Sequence, residues 1–108
     1  EPLSLDNEPW QQRCNQGQGH VSIGWRLRPA HVFDEARLLA LAMDSRFDRF
    51  KAVVHTTEGW RAINAVDGAL TVQGVAEAES SRLELISRKM LLPDVLDQQL
   101  RLAVHAMP

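Results

Sequence analysis

From Val21 the chain alternates, with Val21, Ile23, Trp25 and Leu27 on one side and Ser22, Gly24, Arg26 and Arg28 on the other. A period of two predicts a half-buried strand, and Pro29 stops it. After a short loop, Asp34 or a neighbour is placed to cap a helix running to about Ser45, with Ala36, Leu38, Leu39, Leu41, Ala42 and Met43 as its apolar face. Three β segments follow in quick succession. Phe50 to Thr57 is the first, Thr57-Glu58-Gly59 turns the chain, Trp60 to Val66 returns, and Asp67-Gly68 is a strong hairpin signal leading into Ala69 to Val75. After the small and acidic loop from Ala76 to Ser81, alternation resumes from Arg82 to Arg88 as a fifth strand. Pro93 suits a first helical position. Behind it Leu92, Leu96, Leu100, Ala103 and Met107, with Val95 and Leu102 beside them, space out as an amphipathic helix.

The element order is therefore βαββββα. It predicts an α+β fold: an antiparallel five-stranded sheet with two helices packed on one face and the other face open, because each helix has one apolar stripe to bury. Residues 1–19 show neither period and read as a polar tail or interdomain linker, leaving 20–108 as the folded domain. Trp10 is either an isolated anchor pinning that segment to the body or an exposed ring on a tail.

Composition narrows the picture further. A chain of 108 residues fits one domain, and 44% hydrophobic with 24% charged residues is the balance of a folding globular chain. Twelve basic residues against fourteen acidic ones leave a formal net charge of -2, so binding that depends on phosphate neutralisation by the whole surface is disfavoured and only a local basic patch could serve. The single cysteine, Cys14, cannot form an intramolecular disulfide, and such usage points to a reducing compartment, the cytoplasm. No apolar run approaches the roughly 18 residues needed to span a bilayer, so no membrane partner is expected. The chain does not begin with Met and reads as a piece of a longer polypeptide.

Reactive chemistry has little footing. The glycines at 17, 19 and 24 lack the dinucleotide-binding spacing, and no Gly-x-x-x-x-Gly-Lys-Ser/Thr occurs, so no phosphate loop is present. The four histidines, at 20, 31, 55 and 105, include no i,i+3 or i,i+4 pair. His20 is the one candidate metal ligand, and only by convergence in space with Cys14 or His31. No nucleophile, base or paired-carboxylate motif stands out, and no catalytic residue is assigned.

The remaining clue is the polar side of the sheet. Arg26, Arg28, Lys51, His55, Arg82, Glu84 and Arg88 fall opposite Trp25, Phe50, Val54, Leu83 and Leu85, making that side locally basic. Such a face suits nucleic acid or an acidic protein surface, although RNA-binding sheets present aromatic rings there and these aromatics belong to the apolar side. A solvated face with cross-strand charge pairs, Lys51 with Glu84 among them, is the plainer alternative.

Four stretches in this order carry a family resemblance. Gly19-His20-Val21-Ser22-Ile23-Gly24-Trp25-Arg26-Leu27-Arg28-Pro29 is the first, Val32-Phe33-Asp34-Glu35-Ala36-Arg37-Leu38-Leu39 the second, Asp48-Arg49-Phe50-Lys51-Ala52-Val53-Val54 with Gly59-Trp60 and Ile63-Asn64 the third, and Ser81-Arg82-Leu83-Glu84-Leu85-Ile86-Ser87 the fourth. Together they resemble the C-terminal domain of the CobW-type P-loop GTPases, a metallochaperone family linked to cobalamin synthesis and to zinc or cobalt homeostasis. Ala52 departs from the family's usual Gly after Lys51, and the linker keeps only His20 where many relatives carry a run of histidines. The resemblance implies a non-catalytic accessory domain. Its partners would be an N-terminal P-loop GTPase domain of the same polypeptide and a metalloprotein client, while GTP, Mg and a transition metal such as zinc would belong to that GTPase domain. Arg26, Lys51, Arg82 and Glu84 are the candidates for the partner-binding surface. The alternative is an independent small binding module that offers its basic sheet face to nucleic acid or an acidic protein.

Overall fold

The computed structural model describes residues 10–105; residues 1–9 of the expected linker and Met107 of the expected last helix lie outside them. The fold is α+β, with six strands and two helices: β1 (Trp10–Gly17), β2 (His20–Leu27), α1 (Glu35–Ala42), β3 (Arg49–Thr56), β4 (Gly59–Val66), β5 (Ala69–Gly74), β6 (Ser81–Ser87) and α2 (Pro93–Leu102). All pairings between these strands are antiparallel, in the spatial order β1-β2-β6-β3-β4-β5. Since β2 and β3 both run against β6, they run parallel to each other with β6 inserted between them, a split β-α-β unit with α1 as the crossover.

Two expectations need correcting. The sheet has six strands, not five, and the extra one lies in the segment read as a tail: Trp10–Gly17 pairs along its whole length with His20–Leu27. Its sequence, Trp-Gln-Gln-Arg-Cys-Asn-Gln-Gly, carries one large apolar residue, so its alternation leaves no hydrophobic trace. The hairpin itself is marked. Gln18 (φ 51°) and Gly19 (φ 80°) form a two-residue turn of the left-handed kind that matches strand twist. The first helix also ends at Ala42 rather than near Ser45, and the last at Leu102.

Local chemistry explains the other elements. The Asp34 carboxylate accepts from the Arg37 backbone N–H at 3.0 Å and caps α1, and Pro93 opens α2. Asp67 (φ 50°) and Gly68 (φ 82°) make the β4–β5 turn. Alternation then decides what is buried. Val21, Ile23, Trp25 and Leu27 of β2, Leu83 and Leu85 of β6, Phe50, Ala52 and Val54 of β3, and Ile63 and Ala65 of β4 form one core with Leu38 and Ala42 of α1 and Leu96 and Leu100 of α2. Each such large apolar side chain contributes about 1.5–3 kcal/mol relative to exposure. Leu92, Val95 and Leu102, expected on the apolar side of the last helix, and Met43, expected on that of the first, are instead exposed.

Polar ties fix the helices over this core. Arg61, on the helix side of β4, pairs with Glu35 of α1 at 2.8 Å. The Asp97 carboxylate of α2 accepts from the indole N–H of Trp10 at 2.7 Å, from that of Trp25 at 3.0 Å, and from Arg101 Nε at 2.8 Å. The Arg101 guanidinium also lies 4.2 Å from the centre of the Trp10 ring. Trp10 is thus an anchor, holding β1 onto α2. Gln12 adds a hydrogen bond from its side-chain amide to the Pro93 carbonyl at 3.1 Å.

Candidate functional site

The open face of the sheet is set by the same alternation that fills the core. Directly opposed residues give one row across the strands reading Gln11, Arg26, Arg82, Val53, Ala62 and Gln73, and the next reading Arg13, Gly24, Glu84, Lys51, Asn64 and Thr71. Four strands therefore deliver charged side chains to a small area. Gly24 sits among them without a side chain, and the surface dips there into a depression of about 600 Å³. Gln11, Arg13, Arg26, Lys51, Val53, Arg82 and Glu84 surround that dip.

All four expected surface residues, Arg26, Lys51, Arg82 and Glu84, line this one depression, although 58 positions separate the first from the last. Gln11 and Arg13 join them from β1, and sequence reading missed both because it left their segment outside the sheet. A Gln-Gly pair at positions 18 and 19 just before a clear strand was the signal that could have found them.

Charge in the depression is lopsided. Four basic side chains, Arg13, Arg26, Lys51 and Arg82, face one acidic one, Glu84, for a net of three positive charges. Lys51 stands directly opposite Glu84, as expected for a cross-strand pair, yet among the described residues neither forms an ion pair within 4.0 Å. Arg26 is directly opposite Arg82, and this like-charge arrangement costs stability, on the order of 0.2–1 kcal/mol. Gln11 Nε2 and, in the neighbouring strand row, Asn64 Oδ1 are buried with no hydrogen-bond partner among the described residues. An unpaired buried donor or acceptor of this kind costs about 1–3 kcal/mol.

The other residues of the expected basic side are occupied differently. The backbone N–H of Arg88 donates to Asp48 Oδ2 at 2.6 Å and its guanidinium to Oδ1 at 3.3 Å. These bonds, the backbone one above all, hold the Asp48 carboxyl below its ordinary range. His55 Nδ1 lies 2.8 Å from the Pro29 carbonyl oxygen, and its ring stacks on Trp60 with centroids 5.1 Å apart. Trp60, opposite His55 and hence on the open side, is only 9% exposed, so its faces are already used. Trp25 and Phe50 lie in the core on the opposite side.

His20 opens β2 on the surface, its Nδ1 3.2 Å from the Gln18 carbonyl oxygen. Cys14 is opposite Ile23 and His31 packs edge-on against Trp10, so the three do not meet. Among the described residues no group of three or more His, Cys, Asp or Glu side chains is arranged to hold a metal ion. No described helix is long and apolar enough to cross a membrane. No family model, curated protein or solved structure matches the chain.

Proposed function

We propose that the chain is a non-catalytic accessory domain of a CobW-type GTPase, and that its open sheet face receives a partner. The observation that carries this reading is the convergence of Arg26, Lys51, Arg82 and Glu84, with Gln11 and Arg13, on one concave basic area. A surface of this kind recognises charge and shape without exposing a large apolar patch, which suits a domain that docks and releases. The partner is the P-loop GTPase domain of the same polypeptide or a metalloprotein client, presenting acidic side chains to the basic rim. GTP, Mg and the transition metal are handled by that GTPase domain, and His20, which belongs to no group of three or more potential metal ligands among the described residues, is given no part in it.

The test has two parts. Reading the coding sequence upstream of Glu1 is expected to reveal a Gly-x-x-x-x-Gly-Lys-Ser/Thr loop in the same frame, and its absence overturns the GTPase assignment. Titrating the labelled chain with that GTPase domain is expected to shift the backbone amides of Gly24, Lys51 and Arg82, and Arg26→Glu with Arg82→Glu is expected to abolish the shifts. Independent action as a nucleic-acid module is the second reading, favoured by the net positive charge of the depression. Against it, Trp60 is already stacked and no exposed aromatic lines the site, so base stacking has no platform.

A further inference from the structure

We infer that the depression on the open face is a binding site for a small phosphorylated molecule, whose phosphoryl group sits between Arg26 and Arg82. The inference rests on the reading of the open face as the recognition surface and names what its centre takes.

Arg26 and Arg82 are directly opposed on neighbouring strands and project to the same side, and neither has a carboxylate partner among the described residues. Two guanidiniums carried on directly opposed positions repel, and an anion between them relieves that repulsion. A phosphoryl dianion meets that need, since each planar fork can donate two parallel N–H bonds to its oxygens. Lys51 supplies a further point charge one row away, and Arg13 closes the opposite side of the dip.

Shape selects a small ligand. A volume near 600 Å³ falls within the range of small-molecule clefts, about 300–1,000 Å³. Gly24 makes the floor: a Cβ added there would meet only the Leu83 carbonyl oxygen, at 3.7 Å, so the backbone itself is exposed to a ligand. Gln11 lines the same dip from β1 and adds an uncharged side to it.

Glu84 decides between a compact ligand and a polyanion. It lies directly between Gly24 and Lys51 in one row, so a run of phosphates crossing the depression would meet its carboxylate. A single phosphoryl group at the Arg26–Arg82 pair avoids it, and a hydroxyl on the body of the ligand can donate to it. The fitting class is therefore a phosphate monoester of a hydroxylated small molecule.

The experiment is a titration of the isotope-labelled chain with ribose 5-phosphate and, separately, with inorganic phosphate, followed by amide NMR shifts at about 0.15 M salt, where remote charge effects are screened. Saturable shifts at Gly24, Val53 and Arg82 are expected with ribose 5-phosphate. Arg26→Gln and Arg82→Gln are each expected to weaken binding about tenfold or more, the loss of a charge-assisted contact. Arg49→Gln, on the same face outside the depression, is expected to leave it unchanged, and amide spectra of every variant establish that it folds. Glu84→Gln is expected to tighten inorganic phosphate and narrow the advantage of ribose 5-phosphate over it. Absence of saturation, or equal binding by Arg26→Gln, Arg82→Gln and the parent chain, overturns the site. A single-stranded oligonucleotide that binds the same amides more tightly than ribose 5-phosphate also overturns it. If the GTPase domain shifts these amides and ribose 5-phosphate does not, the ligand inference fails and the docking reading stands; the reverse result sinks the docking reading alone.

Discussion

Replacing Asp97 by alanine tests how β1 is held. One carboxylate gathers the indole N–H groups of Trp10 and Trp25 and the Arg101 guanidinium, joining β1, β2 and α2 at a single point. The Arg101 pair is an i,i+4 contact with a half-exposed partner and contributes only about 0.3–0.5 kcal/mol. Trp25 decides the magnitude. It is 4% exposed, so with the acceptor removed its N–H has no water to turn to and costs about 1–3 kcal/mol. Trp10 is half-buried and loses a charge-assisted bond for somewhat less, and the whole comes to about 3 kcal/mol for Asp97→Ala. Asp97→Asn keeps an oxygen that both indoles can reach but turns an amide nitrogen toward Arg101, losing the charge and the Arg101 bond, so its cost is about 1 kcal/mol. Urea unfolding followed by tryptophan fluorescence measures both. For a domain of this size each kcal/mol shifts Tm by about 4–8 °C, so the two variants separate clearly in a melt as well. An Asp97→Ala variant within about 0.5 kcal/mol of the parent chain, or an Asp97→Asn variant as damaged as the alanine, would refute the anchoring argument.

Further outcomes follow from the same geometry. Burial pushes the Asp97 carboxyl up, but the bonds from Arg101, Trp10 and Trp25 outweigh it and hold it below its ordinary range, and the Arg46 guanidinium does the same for Asp44 despite its burial. A lowered folded-state pKa means that the unfolded chain takes up protons first, so this stability is complete above about pH 5 and is lost as pH falls through about 4 and below. Urea midpoints should therefore drop in acid, and the gap between the parent chain and Asp97→Asn should narrow there; a constant gap down to about pH 3 contradicts the assignment. Gly68→Ala places a Cβ at φ 82° with no atom within 4 Å, so the strain is purely that of the backbone and should cost about 1–2 kcal/mol in thermal or urea unfolding. Gly24→Ala meets an ordinary contact at 3.7 Å and should unfold within about 0.5–1 kcal/mol of the parent, on the stable side, while Gly24→Val, filling the depression, should weaken ribose 5-phosphate binding in the same NMR titration.

Much of the framework is legible along the chain because it is local. Alternation from Val21 to Leu27, the Asp34 cap, the Asp67-Gly68 turn and Pro93 each act within a few residues, and each places its element close to where the structure has it. The same alternation separates Arg26, Lys51, Arg82 and Glu84 from Trp25, Phe50, Leu83 and Leu85, so the chemistry of the open face can be written down before any topology is known.

What tertiary structure alone decides is who stands beside whom. The insertion of β6 between β2 and β3 sets Arg82 opposite Arg26 and Glu84 between Gly24 and Lys51; no local pattern encodes it, because that pairing depends on which sheet edge best completes the core. The strand Trp10–Gly17 is silent in the hydrophobic pattern, since it is held by backbone pairing to β2 and by one tryptophan clasped by Asp97, 87 residues away. Side-chain periodicity records burial, and a strand that buries a single ring leaves almost no record, although it supplies Gln11 and Arg13 to the site.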